Sequence, residues 1–90
     1  MADTFMALSS ATRRSILGML KKQDMTAGEI ADILQISKST LSGHFNVLKN
    51  ANLVETERSG TTITYSLKTS VVEDMMSELM SLFAVDKNGD

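Results

Sequence analysis

Two helix-start signals stand eleven residues apart in this chain, at Thr26 and Ser37, and they confine the helix between them to about two turns. Thr26 followed by Glu29 matches a capping box, in which the hydroxyl and the carboxylate each satisfy an otherwise orphaned helix-end amide. The spacing predicts a helix over 26–34 with Ile30, Ile33 and Leu34 turned inward, stopping near Gln35. Ser37 caps a second helix, over 37–51, in which Leu41, Phe45 and Leu48 recur at i, i+4 and i+7. Two helices so placed meet through the tight turn Gln35 and Ile36. Advancing 100° per residue from Leu41 sends Lys38, Ser39, Ser42, Gly43, Asn46, Lys49 and Asn50 to the opposite arc.

The flanking segments follow different periods. Residues 4–22 read as helix, with Phe5 and Leu8 opening an apolar series, Ser9 or Ser10 able to cap a second segment, and Ile16, Leu17 and Leu20 on one face. Lys21 and Lys22 suit its C-terminal dipole. From Val54 to Leu67 apolar and polar residues alternate about a turn at Ser59 and Gly60, which predicts a β-hairpin. A last helix over 69–85 carries a broad stripe of Val72, Met75, Met76, Leu79, Met80, Leu82 and Phe83, and the tail from Asp86 is expected to fray. With no proline and no linker composition anywhere, residues 1–90 form one domain.

Ninety residues supply a single modest core, and with no cysteine to staple it, association of subunits is an expected source of stability. The same absence excludes disulfides and every thiolate metal or redox site. Zinc or nickel sites usually need two or more imidazoles, whereas His44 is the one histidine; Glu73, Asp74 and Glu78 read as a solvated face. No metal site and no cofactor are therefore expected. No nucleophile has a base within sequence reach, no glycine loop cradles phosphate, and ninety residues scarcely form a cleft, so the chain is not expected to be an enzyme or to take a small-molecule substrate. The N-terminus lacks a secretory pattern and no window approaches ~20 apolar residues, which points to the cytoplasm.

Net charge is −2 and the pI about 5.3, an unpromising balance for a nucleic-acid partner. The distribution reverses that impression. Residues 69–90 carry a net −4 and residues 1–68 a net +2, and no acidic residue occurs between Ile33 and Val54. A local face is what matters, because phosphate attraction is screened within about 8 Å at physiological salt.

Helix, tight turn, capped helix with a small polar outer face, then a two-stranded ribbon is the order of a winged helix-turn-helix, a mainly α fold with a small β-hairpin wing. Ser37, Ser39 and Thr40 offer hydroxyls and free amides to phosphates, and Lys38 adds a mobile charge. Ser42 and Gly43 are short enough to let the helix backbone approach base edges in a groove about 12 Å wide. Any solvated helix also shows a small polar face. The missing carboxylates and the complete order of elements favour DNA. His44 falls beside the core arc, where a packed histidine and a DNA contact both fit.

The strings ALSSATRRSILGML and MTAGEIADILQISKSTLSGHFNVLKNANLVETERSGTTITYSL resemble the ArsR family of bacterial repressors across roughly residues 5–67, and within it the autorepressor branch whose members lack metal sites. The resemblance implies that Lys38, Ser39, Thr40, Ser42, Gly43, His44 and Asn46 face the major groove. It assigns Arg58, Ser59, Thr61 and Thr62 to the wing and to the flanking phosphates, an ion pair of Arg58 with Glu55 or Glu57 being the competing use. Gly43 departs from relatives that carry a longer side chain there. The resemblance further implies a homodimer through the first and last helices, with Phe5, Leu8, Met75, Met76, Leu79, Met80 and Phe83 as interface candidates. Methionines at helical spacing equally suit a core.

Such a dimer would bind a palindromic double-stranded operator with half-sites about 34 Å apart, its own promoter first among them, and would repress by occlusion. Release would come from a regulatory protein partner, one at a membrane by resemblance, or from expression level alone. The competing functions are a winged-helix module that binds protein, which would suit the acidic surface, and a divergent metal-responsive ArsR repressor.

Overall fold

The computed structural model describes residues 2–83, in the order α1 (Ala2–Leu8), α2 (Ala11–Lys22), β1 (Met25–Thr26), α3 (Ala27–Leu34), α4 (Lys38–Asn50), β2 (Val54–Ser59), β3 (Thr62–Leu67) and α5 (Thr69–Leu82). The expected helix over 4–22 is divided in two at Ser9 and Ser10. Ser9 Oγ donates to the Met6 carbonyl at 2.8 Å, and Ser10 takes an extended backbone so that its Oγ accepts from the Arg13 amide at 3.2 Å. Serines compete in this way for helix-end groups, which makes them caps rather than interior residues.

The capping box is present in full: Thr26 Oγ1 accepts from the Glu29 amide at 3.2 Å while Glu29 Oε1 accepts from the Thr26 amide at 2.9 Å. Ile33, expected inside, is 59% exposed. The buried stripe of α3 runs through Ala27, Ile30, Ala31 and Leu34, at i, i+3, i+4 and i+7, which turns Ile33 outward. Gln35 ends the helix in the left-handed region at φ 58°, and the Ile36 amide donates back to the Ala31 carbonyl at 3.2 Å. Ser37 then caps α4, whose Leu41, Phe45 and Leu48 are fully buried.

The expected hairpin is β2 and β3, but the sheet has three strands in the order β1-β3-β2, all antiparallel. β1 pairs Met25 with Tyr65 and Thr26 with Thr64. Two residues leave no alternation to read, and their pairing with β3 depends on where α2 and α3 deliver them. Phe45 of α4 stacks on Tyr65 of β3 with ring centroids 3.6 Å apart and planes 13° from parallel. This contact seats α4 on the sheet at the middle of a core that also takes Ala7, Ile16, Leu20, Met25, Ile30, Leu53 and Val54.

α5 places Met75 in that core, with Val71, Val72 and Leu79 packed partly against it. α5, expected to reach residue 85, ends at Leu82 with Phe83 as its C-cap, and the expected tail from Asp86 lies outside the described residues. No helix among the described residues is long and apolar enough to cross a membrane.

Candidate nucleic-acid interface

α4 presents its proposed reading face openly. Ser37, Lys38, Ser39, Thr40, Ser42, Gly43 and Asn46 are all exposed, as are Lys49 and Asn50. At its N-terminus Ser37 Oγ accepts from the Thr40 amide at 3.1 Å, donates to Thr40 Oγ1 at 2.9 Å, and lies 3.2 Å from Ser39 Oγ. Three hydroxyls thus cluster where the helix dipole is positive and the first amides lack partners, a setting that favours a phosphate oxygen. A Cβ built on Gly43 meets nothing within 4 Å, so the glycine answers no crowding within the chain and leaves the helix surface low.

The register of the wing sorts its residues into two faces. Val54, Thr56 and Arg58 stand opposite Leu67, Tyr65 and Ile63, and cross-strand partners share a face. Arg58 therefore lies on the side of the sheet that Tyr65 turns toward α4. Glu55 and Glu57 alternate to the other face, with Ser59, Thr62, Thr64 and Ser66. Alternation alone separates Arg58 from the carboxylates that would compete for it. At the tip Gly60 has φ 63° and Thr61 is not in the positive range, the pattern of a type II′ turn, in which the first central position suits glycine.

The structure brings Lys38 together with Thr61 and Thr62 along one groove, between the start of α3 at Thr26, Ala27 and Gly28 and the wing at Ile63. Ser59 and Thr62 share the glutamate face of the hairpin, away from Arg58. His44 is half-buried, and its Nδ1 receives a hydrogen bond from Arg13 Nη1 at 3.1 Å. The sequence marks Arg13 only by its pairing with Arg14 just after the break at Ser9 and Ser10.

The expected association surface is laid out as follows. Phe5 on α1 and Met76, Met80 and Phe83 on or just after α5 are exposed, while Leu8 and Leu79 are half-buried. Met75 is buried within its own chain and has little surface left to give a partner, because it points from α5 into the core.

An exposed capped helix set across a second helix, followed by a wing with an arginine on the helix side, defines a winged helix-turn-helix DNA-binding protein. Comparison with known proteins agrees. Residues 10–56 match the family described as bacterial regulatory protein, arsR family. The transcriptional repressor SdpR of Bacillus subtilis is 44% identical over 81 residues, which span 90% of each chain. Among solved structures, HlyU from Vibrio cholerae superposes with a TM-score of 0.75 at 30% identity, covering 92% of this chain and 90% of that one. NolR from Sinorhizobium fredii gives 0.74 at 32%, covering 94% and 85%. The chain belongs to the ArsR family, whose members are DNA-binding transcriptional regulators and not enzymes.

Proposed function

We propose that this protein is a transcriptional repressor that binds a palindromic operator as a homodimer, acts on its own promoter, and does so without sensing metal. The observation that carries the reading is the carboxylate-free outer face of α4, exposed along its whole length in a protein of net negative charge. Lys38, Ser39, Thr40, Ser42, Gly43 and Asn46 approach base edges and adjoining phosphates, and Arg58 with Thr61 holds the flanking backbone. Ser59 and Thr62, on the glutamate face, touch phosphate only at the very tip. The exposed apolar side chains of α1 and α5 pack against those of a second copy, which presents two α4 helices to successive turns of the duplex.

The metal-free part of the reading rests on the side-chain inventory. There is no cysteine, and the single histidine already spends Nδ1 on Arg13. Release then falls to a regulatory protein partner or to expression level alone. Selection of bound fragments from random and genomic DNA, with chelator present, tests partner class, site symmetry and metal dependence together. Enrichment of a two-fold symmetric site that includes the protein's own promoter is expected. Failure to enrich any duplex, or enrichment only after metal is restored, overturns the reading.

A further inference from the structure

We propose that Arg13 is a positioning residue for DNA binding, one guanidinium that ties α1 to α4 through His44 and so sets how the recognition helix is presented. The proposal rests on the reading of α4 as the helix that enters the groove. Arg13 Nε donates to the Ala7 carbonyl at 3.1 Å, Nη2 donates to the Met6 carbonyl at 2.7 Å and to Ser9 Oγ at 3.4 Å, and Nη1 donates to His44 Nδ1 at 3.1 Å. Two of these acceptors are carbonyls of the last turn of α1, one is the Ser9 hydroxyl just after it, and one belongs to α4.

α1 needs such an anchor. It has seven residues and no basic residue in its own last turn, so neither its length nor its own charges secure its terminal carbonyls. Arg13 supplies that charge from α2, with Arg14 Nη1 adding a bond to the Leu8 carbonyl at 2.7 Å. The same α1 turns Phe5 and Met6 outward, on the proposed dimer surface. A continuous path of contacts thus runs from the surface where two copies meet, through Arg13, to His44 between Gly43 and Phe45 on α4. Two recognition helices must match half-sites at fixed separation, so the angle between α1 and α4 is part of operator fit. A planar fork with several donors can hold that angle; a flexible ammonium cannot.

The bond also dictates the histidine's chemistry. Arginine has no acceptor, so Nδ1 must accept and the neutral ring carries its proton on Nε2. His44 is therefore oriented, in place of turning freely beside the core.

The test compares affinity for the selected operator, at fixed salt and well below the melting temperature, among wild type, Arg13→Gln, His44→Leu, the double variant and His44→Asn. Each of the first two substitutions is expected to weaken binding about tenfold, and the double variant to be no weaker than Arg13→Gln alone. Asparagine places Oδ1 near the position of Nδ1, so His44→Asn is expected to rescue most of the loss seen with leucine. Additive losses, or an Arg13→Gln protein with lowered melting temperature and unchanged affinity, overturn the proposal and leave Arg13 as a cap for α1. An asparagine variant as weak as the leucine one overturns it too, since His44 would then act through Nε2. If Arg13→Gln does not fold, equal binding by wild type, His44→Leu and His44→Asn overturns it on the histidine alone. Nitrogen NMR of the His44 ring needs no DNA: a proton on Nδ1 refutes the bond. Wild-type protein that binds no duplex refutes the recognition-helix reading before any variant is made.

Discussion

α4 and α5 are amphipathic helices of 13 and 14 residues that turn opposite chemistry outward. In α4 the apolar stripe of Leu41, Phe45 and Leu48 is wholly consumed by the chain's own core, and what remains outside is hydroxyl, amide, ammonium and bare backbone. In α5 only Met75 is fully buried; Met76, Met80, Leu82 and the adjoining Phe83 stay in solvent, Phe83 at 75% exposure. Apolar surface left in water costs about 25 cal/mol per Å², so the second helix calls for an apolar cover. An acid-free polar face costs nothing in water and instead lowers the barrier to meeting a polyanion. One helix buries its apolar stripe within the fold and leaves a polar face in solvent, and the other keeps apolar side chains in solvent.

That contrast can be broken at either helix. The largest effect is expected from Met76→Asp combined with Met80→Asp. Both residues are exposed in the single chain, so folding survives while a charge is placed against the partner. Sedimentation should show monomers, and operator affinity should fall about a thousandfold as the two half-sites cease to be bound together. Dimers with undiminished affinity would place the association surface elsewhere. Next, Ser42→Glu should weaken operator binding on the order of a hundredfold with an unchanged melting temperature, because a carboxylate is set against phosphate. Normal affinity would remove Ser42 from the reading face.

Smaller changes sharpen the same contrast. Arg58→Ala should lower affinity about fivefold for all sequences alike and reduce the slope of log affinity against log salt by about one. A loss confined to one operator would make Arg58 a base reader. Gly43→Ala should stabilise the free protein by about 1 kcal/mol, since its added methyl meets nothing, and should weaken DNA binding about threefold by standing the helix off the groove. Denaturant melts and titrations report the two effects separately. The smallest effect is expected at Tyr65 under α4. Burial raises its phenol above the ordinary value of 10.0, so the folded state holds that proton more tightly than the unfolded chain. Its contribution to stability is complete below about pH 10 and should be lost as pH climbs through the raised value; Tyr65→Phe should flatten that alkaline decline.

Much of the architecture was legible because short-range chemistry encodes it. Thr26 with Glu29, and Ser37 ahead of Leu41, Phe45 and Leu48, are complete instructions for where α3 and α4 begin, and both are obeyed. The hairpin turn at Gly60 follows from a backbone conformation that glycine adopts most readily. Ile33 is exposed against expectation because in an eight-residue helix two apolar stripes fit the sequence equally well, and only the neighbouring elements choose between them. β1 was invisible for a related reason, since two residues have no period. Met75 shares the stripe of α5 with Met76 and Met80, and only the packing of α5 against the core separates it from those exposed neighbours.

By itself the sequence determined which residues cap, which alternate and which face is free of acid, because those properties depend on neighbours within a few positions along the chain. Tertiary structure alone decided that the face of the wing carrying Arg58 is the one turned toward α4, and that Lys38 lines a groove with Thr61 and Thr62. It alone joined Arg13 to His44 across 31 positions. Such pairings are set by how elements pack around Phe45 and Tyr65, and packing is a property of the whole chain that no local pattern carries.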